Sequence, residues 1–130
     1  MKVLFDTNVV IDIIHNREAF YADSYKALHL AFENCTTCIS TTTITDSVYI
    51  TRKVFTDSKA QKQALSVFFS KFKLCAVKAQ QIKAAFLSPM SDFEDAVQAF
   101  CAKRHGVKYI ITRNVKDYKL SPVMAIEPAD

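Results

Sequence analysis

Short apolar runs alternate along this chain with longer segments that repeat apolar residues at helical spacing. Such alternation is typical of βαβ units, in which helices cover both faces of a parallel sheet. The run Tyr109-Ile110-Ile111 lacks polar alternation and suits a strand buried on both sides. The sequence therefore predicts an α/β fold with a mostly parallel central sheet. The predicted strands are Lys2–Asp6, Thr37–Ser40, Lys73–Val77, Lys108–Thr112 and Val123–Ile126.

Helical periodicity fills the segments between these strands. After the first strand, Thr7 and Asn8 turn the chain into a helix. Gly106 stands where a helix C-terminal cap is expected. The other predicted helices are Tyr21–Glu33, Thr43–Phe55, a third marked by Ala60, Ala64 and Val67, a fourth marked by Ile82 and Phe86, and a fifth from Phe93 to His105.

The composition predicts one domain over residues 1–130. Half of the 130 residues are hydrophobic, which permits a substantial core, and one Gly with three Pro leaves little material for linkers. The formal net charge of +4 is compatible with an anionic partner but does not require one. No apolar segment has the length of a signal peptide or a membrane span, so we expect a cytoplasmic protein without membrane contact.

Four cysteines are expected to be reduced thiols in that compartment. The spacing in Cys35-Thr-Thr-Cys38 matches a redox or zinc pair. No second pair follows at ligand spacing and no histidine completes a local site, so we do not assign such a role.

Acidic residues follow strands or begin helices at several places. Asp6 ends the first strand, and Asn114 and Asp117 follow the fourth. In parallel sheets ligands bind beyond the carboxyl ends of the strands, where these residues are expected to meet. Asp46 lies early in the helix after the second strand, and Asp95 opens a helix whose next residues are apolar.

Helix capping is the competing interpretation for the acidic segment that precedes the fifth helix. Ser91 and Glu94 have the spacing of a capping box, and acids favour a helix N-terminus through the dipole. We assign Asp92 and Glu94 to capping or a solvated face, and Asp95 to function.

A cation would be required if four acids converged at this edge, since neighbouring carboxylates raise one another's pKa. These acids are Asp6, Asp46, Asp95 and Asp117. Mg²⁺ or Mn²⁺ suits oxygen ligands and activates water against a phosphodiester. Thr7 and Asn8 could then bind a carboxylate, a water or a phosphate. The sequence has no Gly-rich phosphate loop, no hydrolase serine motif and no local Cys–His pair, and its three histidines are dispersed.

Three blocks of this sequence resemble the PIN domain family, many members of which are toxins of the virulence-associated protein C type. The blocks are Met1–Asn8, Ser91–Ala96 and Tyr109–Tyr118, in the family's order and spacing over essentially the whole chain. The resemblance implies a compact α/β/α sandwich and a Mg²⁺- or Mn²⁺-dependent ribonuclease. It implies metal binding by Asp6, Asp95 and an acid within Thr112–Asp117.

Two positions depart from the family pattern. Asp46 stands where the family commonly has Glu and is one methylene shorter, and Asn114 stands where many members have Asp. Asp117 would then supply the charge as the third metal ligand, with Asp46 as a fourth catalytic acid that reaches the metal through water. The predicted substrate and supporting contacts are Thr7, Asn8, Asp92, Thr112, Arg113 and Asn114; for Arg113 a solvated loop is the equal alternative.

The leading hypothesis is therefore an endoribonuclease, implied to be the toxin of a type II toxin–antitoxin pair. Such proteins are typically homodimers that a small antitoxin inhibits. The alternative is a catalytically weak or inactive RNA-binding or interaction module on the same scaffold, because fold resemblance does not prove activity. A small-molecule phosphatase ranks last, since no aspartyl-nucleophile motif is present.

Overall fold

The computed structural model describes residues 1–16 and 18–130. Its sheet is parallel throughout, with the strand order β3-β2-β1-β4-β5. Each predicted strand is present, although four are shorter than expected, so the α/β prediction is confirmed. The strands are β1 (Lys2–Phe5), β2 (Thr36–Ser40), β3 (Lys73–Cys75), β4 (Tyr109–Ile111) and β5 (Met124–Ile126).

Helices connect successive strands, and a 3-10 turn over Val115–Tyr118 lies between β4 and β5. The long connection between β1 and β2 carries two helices, and the connection between β2 and β3 carries another two. Gly106 has a φ of 71° just after the last helix, as its predicted capping role requires. The helices are α1 (Thr7–Ile14), α2 (Tyr21–Asn34), α3 (Thr41–Thr51), α4 (Ser58–Phe69), α5 (Ala79–Leu87) and α6 (Phe93–Arg104).

Two hydrophobic cores lie on opposite faces of the sheet. Successive residues of a strand point to opposite faces, so Leu4 joins one core while Val3 and Phe5 join the other. The Leu4 core contains residues of α5 and α6, and the Phe5 core contains residues of α1, α2 and α4. This arrangement confirms the three-layer α/β/α sandwich.

Helix α3 ends four residues earlier than predicted, at Thr51 instead of Phe55. Its C-terminal part is held by a glutamine from α4, because Gln61 donates from Nε2 to the Val48 carbonyl at 2.7 Å and to Thr51 Oγ1 at 3.1 Å. Sequence periodicity alone does not reveal such a tertiary contact.

Helix α4 exists as predicted but buries a different face. The residues that marked it included Ala64 and Val67, of which Val67 is 62% exposed. Its buried residues are Gln61, Leu65 and Phe69, spaced four apart. A polar residue therefore lies in the buried stripe, which an apolar-only pattern misses.

The strand register brings three strand ends to one edge of the sheet. Phe5 of β1 pairs with Ile111 of β4, and Asp6 continues the ladder by donating its backbone N–H to the Ile111 carbonyl at 2.9 Å. Ser40 ends β2 and caps α3 through a hydrogen bond from the Thr43 N–H at 3.2 Å. The residues after these strands therefore lie close together.

The structure also bears on two expectations about the whole chain. All four cysteines are free, and Cys38, Cys75 and Cys101 are buried. Nowhere in the described ranges does a helix combine the length and the apolar character needed to cross a membrane.

Candidate active site

Asp6 is the most heavily hydrogen-bonded carboxylate at this edge of the sheet. It is only 4% exposed, so its hydrogen bonds come from the protein. It caps α1, where its Oδ1 accepts from the Thr7 N–H at 2.7 Å and from Gln98 Nε2 at 3.2 Å. Its Oδ2 is approached by Thr112 Oγ1 at 2.8 Å, Tyr118 Oη at 3.1 Å and Asn8 Nδ2 at 3.4 Å. All five donors are neutral groups, so they orient the carboxylate without cancelling its charge.

Asp95 meets Asp6 through a shared hydroxyl. Tyr118 Oη lies 3.1 Å from Asp6 Oδ2 and 3.3 Å from Asp95 Oδ1. The phenol reaches this position because the 3-10 turn after β4 buries Tyr118 beside α6. Two carboxylates 89 positions apart in sequence are thus joined at the centre of the site.

A cavity of about 540 Å³ opens at these residues. Helices α1, α3 and α6 and the segment after β4 all contribute to its walls. Among the described residues the only cation lining it is Arg113, whereas the acids that line it are Asp6, Asp46, Asp92, Glu94 and Asp95. The cavity is therefore electronegative and suits a cation better than an anion.

The acids of this cavity are perturbed by burial and by one another. Burial, followed by the charges of Asp6 and Asp92, raises the pKa of Asp95 to about 7. Burial also raises the pKa of Asp46, and burial together with the Asp46 charge raises that of Glu94. For Glu94 and Asp95 the neighbouring carboxylates add to the effect of burial, so these acids repel one another in the cavity.

The stability of the metal-free protein should depend on pH through Asp95. Because its pKa rises from 3.8 to about 7 on folding, its contribution is fully present below pH 4 and is lost as pH rises through 7. We expect the stability of Asp95→Asn relative to wild type to increase by about 1–2 kcal/mol between pH 4 and pH 8, after a discount for solvent screening. Urea unfolding in EDTA measures this difference, and a pH-independent difference would contradict the assignment.

Three of the predicted supporting residues surround Asp6. Thr112 Oγ1 contacts Asn8 Nδ2 at 3.2 Å and the Asn114 N–H at 3.1 Å, in addition to Asp6. Thr7 Oγ1 lies 3.0 Å from Thr43 Oγ1 and so links α1 to α3. This network fixes where β1 and β4 end relative to each other.

Asp92 is both a helix cap and part of the cavity wall, so its predicted capping role and its predicted place at the site are compatible. It caps α6, accepting the Asp95 N–H at 2.9 Å, and it also lines the cavity. The capping-box assignment of Ser91 is wrong, because the helix begins one residue later than that motif requires. Glu94, which we assigned to capping or a solvated face, lines the cavity as well.

Arg113 lies at the rim of the cavity with its guanidinium held in place. It donates from Nε and Nη2 to the buried Asp12, and its guanidinium carbon lies 4.1 Å from the centre of the Phe20 ring. The side chain is 26% exposed. The ion pair with Asp12 and the stacking on Phe20 therefore restrain the Arg113 side chain, which disfavours the alternative of a freely solvated loop residue.

The predicted metal trio of Asp6, Asp95 and Asp117 is not assembled. Asp117 lies in the 3-10 turn, does not line the cavity, and acts on Asp95 only as a weak contribution to its pKa. Within the described ranges no three His, Cys, Asp or Glu side chains are arranged to hold a metal ion. The difference arises because the 3-10 turn buries the side chain of Tyr118, which contacts Asp6, while Asp117 does not line the cavity.

The residues present still fit a hard divalent ion, with fewer acidic ligands than predicted. Mg²⁺ is commonly bound by one or two carboxylates while water fills its other positions. Asp6 and Asp95 supply such a pair, and after burial the Asp6 charge is the next largest cause of the raised pKa of Asp95. The donor chemistry is oxygen only, as this class of ion prefers.

Sequence reasoning missed Tyr118 and Gln98 as members of this site. Tyr118 is the last residue of the Tyr109–Tyr118 block, but nothing in its spacing distinguishes it from a core aromatic. Gln98 interrupts the apolar helix that follows Asp95. A polar residue at a buried helical position was the available signal.

Comparisons with known proteins agree with this fold. A family model described as PIN domain matches residues 2–116. No curated protein sequence matches the chain significantly.

Several solved structures superpose over almost the full length of the chain. A chain of VapBC2 from Rickettsia felis, bound to a DNA fragment from their promoter, has a TM-score of 0.77 at 17% identity and covers 98% of both chains. A toxin–antitoxin complex from Klebsiella pneumoniae has a TM-score of 0.73 at 24% identity, with 97% of both chains covered. FitAcB from Neisseria gonorrhoeae has a TM-score of 0.73 at 16% identity, also with 97% of both chains covered. At these identities the superpositions establish a shared fold.

Proposed function

Because the chain belongs to the PIN domain family, we propose that it is a Mg²⁺- or Mn²⁺-dependent endoribonuclease. The observation that carries this proposal is the Asp6–Asp95 pair around Tyr118, in a cavity lined by five acids and one arginine. An RNA phosphate would be repelled by this cavity unless a cation were present. The arrangement therefore supports a reaction that depends on metal.

Asp6 and Asp95 are the proposed metal ligands. A bound divalent ion lowers the pKa of a water and neutralises charge that develops on a phosphate. The chain's own contribution is to hold the two carboxylates close together, with donors to Asp6 that are neutral and do not cancel its charge. Asp46 and Glu94 line the same cavity and supply additional negative charge, while Asp117 remains a proposed, more distant catalytic acid.

Arg113 is the proposed phosphate contact. Asp12 and Phe20 fix its guanidinium at the rim, and three of its five N–H groups form no hydrogen bond with the described residues. A restrained arginine loses little side-chain entropy when a phosphate binds, and it can bind two phosphate oxygens at once. Thr7, Asn8 and Asn114 lie beside it in the cavity wall.

The decisive experiment is cleavage of a mixed RNA substrate by the purified protein. We expect cleavage with Mg²⁺ or Mn²⁺ and none with EDTA, restored when the metal is added back. Activity that survives EDTA would contradict the proposal. Contamination is controlled by an Asp6→Asn protein prepared identically.

A second candidate function is an RNA-binding or interaction module without catalysis. The observation that favours it is that no three acids among the described residues are arranged to hold a metal ion, although five acids line the cavity. RNA binding without cleavage, together with no saturable uptake of Mn²⁺, would establish this alternative.

A small antitoxin is the proposed protein partner, as the toxin–antitoxin complex from Klebsiella pneumoniae suggests by its shared fold. An electronegative cavity suits a basic segment of such a partner, which would exclude RNA and cation together. We place both proteins in the cytoplasm, where the RNA substrate is found. Growth arrest on expression, relieved by a co-expressed neighbouring gene, is the expected phenotype.

We also propose a homodimer formed by an exposed apolar surface on α3, α5 and the start of α6. This surface consists of Ile50, Phe86, Leu87 and Phe93, and the Phe86 and Phe93 rings lie 4.6 Å apart. Exposed apolar patches of this kind commonly mark protein interfaces. Ile50 and Phe93 also line the acidic cavity, which would place the interface next to the site.

Light scattering after size exclusion tests the dimer directly. We expect a mass of about twice 14.7 kDa for wild type at micromolar concentration and a shift towards 14.7 kDa for Leu87→Asp. Leu87 is 88% exposed, so the change should not affect the folded monomer. Val67→Asp, at another exposed apolar position, is the matched control and should remain dimeric.

A further inference from the structure

Gln98 is a buried polar side chain that touches three parts of the site at once. It lies on α6 and is 4% exposed. Its Nε2 lies 3.2 Å from Asp6 Oδ1, 2.8 Å from Thr43 Oγ1 and 3.4 Å from Thr7 Oγ1. One amide group thus connects the end of β1, the start of α3 and the helix that carries Asp95.

Its position relative to Asp95 gives this contact a specific consequence. Gln98 lies three residues after Asp95, so the two side chains share one face of α6. Of the five donors to Asp6, Gln98 is the one that comes from this helix. The Gln98–Asp6 hydrogen bond therefore fixes the two carboxylates relative to each other from within the helix.

The choice of an amide has an electrostatic consequence. A lysine or arginine at this position would neutralise Asp6 and compete with a cation in the cavity. The Gln98 amide donates a hydrogen bond to the carboxylate without adding charge. Asp6 is thereby oriented and still attracts a cation.

The other end of the same amide is unfavourable for folding. Gln98 Oε1 is buried and has no hydrogen-bond partner among the described residues. A buried acceptor without a donor is destabilising, and an apolar side chain of similar size would avoid this. The fold therefore keeps an unpaired Gln98 Oε1 in its interior while Gln98 Nε2 makes its contacts with Asp6 and Thr43.

We infer that Gln98 is a positioning residue that holds Asp6 in the orientation needed for divalent-ion binding. This inference rests on the proposed metal-dependent function. Without the amide, Asp6 Oδ1 keeps only the Thr7 N–H, and the Asp6 carboxylate loses its direct link to α6. Residues that orient metal ligands in this way typically change metal affinity by about 10–100-fold.

The test compares Mn²⁺ binding by wild type, Gln98→Leu and Gln61→Leu, measured by electron paramagnetic resonance on metal-free protein. Gln61 is the matched control, since it is 5% exposed and donates two hydrogen bonds from Nε2, but to α3 outside the cavity. We expect Gln98→Leu to weaken Mn²⁺ binding by about 10–100-fold. Gln61→Leu should bind Mn²⁺ as wild type does, even if it unfolds at a lower temperature.

A second measurement uses the unaltered protein, in case Gln98→Leu does not fold. The side-chain amide signals of Gln98 in ¹⁵N-resolved spectra should shift during a Mg²⁺ titration and saturate with the backbone signals of Asp6. Those of Gln61 should stay in place. Unmoved Gln98 signals would overturn the inference.

The outcomes separate this inference from the proposed function. If wild type binds Mn²⁺ and cleaves RNA while Gln98→Leu binds equally well, the positioning role is wrong and the nuclease stands. If wild type neither binds Mn²⁺ nor cleaves RNA, the proposed function and the inference both fail.

Discussion

Asp6→Asn is expected to reduce RNA cleavage by at least about 10³-fold, since loss of a metal ligand removes several kcal/mol of transition-state stabilisation. The fold should remain intact. In the variant, an oxygen can keep the contacts with the Thr7 N–H and Gln98 Nε2, while the new NH₂ group takes the place of Oδ2. There it faces the Tyr118 hydroxyl, which can accept from it and donate to Asp95 Oδ1. It also faces the Thr112 hydroxyl, whose two acceptor positions are already used by Asn8 Nδ2 and the Asn114 N–H, so the hydrogen bond with Thr112 is lost.

A second donor near the new amide group is also poorly accommodated. Asn8 Nδ2 lies 3.4 Å from Asp6 Oδ2 and would face the new amide as a second donor. That contact is long and therefore weak, and relief of the repulsion with Asp95 acts in the opposite direction. We expect a change in melting temperature of only a few degrees, of either sign.

Cleavage rates and thermal unfolding, measured on the same preparations, check both parts of this prediction. Asp57→Asn is the matched control because Asp57 also caps a helix, accepting the Ala60 N–H at 2.7 Å, but does not line the cavity. It removes the same charge and should cleave at the wild-type rate. Metal-dependent cleavage at near-wild-type rate by Asp6→Asn would refute the assignment of Asp6.

Leu4→Ala is expected to destabilise the fold by about 3–5 kcal/mol. Leu4 is fully buried in β1, the central strand of the sheet, and packs in the core beneath α5 and α6. Truncation removes buried apolar surface and leaves a cavity that the neighbouring strands cannot fill. Domains of this size are stable by only about 5–15 kcal/mol, so the loss is a large part of the total.

Urea unfolding with Leu74→Ala as control measures this effect. Leu74 is the same residue type, also in a strand, but it is 52% exposed on the edge strand β3. Its truncation should cost less than about 1 kcal/mol. Equal losses of unfolding free energy in the two variants would contradict the prediction that the core around β1 contributes most to the stability of the fold.

The fold was largely predictable from sequence because its signals are local. Each strand was found from a run of apolar residues, and most helices from their spacing. The errors occurred where a distant residue decides the outcome. Helix α3 ends at Thr51 where Gln61 reaches over from α4, and α4 buries a stripe that contains this same glutamine.

The site was predictable only in part. Asp6, Asp46 and Asp95 were expected at one edge, and the structure brings all three to one cavity together with Asp92. Asp117 was expected there as well and lies outside the cavity wall. Spacing after β4 indicates that a residue is near the edge, but the conformation of the turn decides which side chain points into the protein, and here it is Tyr118.

The sequence by itself determined the layered fold and the placement of Asp6, because apolar periodicity and the alternation of strands and helices along the chain depend on neighbouring residues and on general packing rules. Only the tertiary structure decided which acids become partners. Tyr118 and Gln98 join Asp6 across 112 and 92 positions of chain. Contacts over such distances depend on how turns and helices pack together, and no local pattern of residues encodes that geometry.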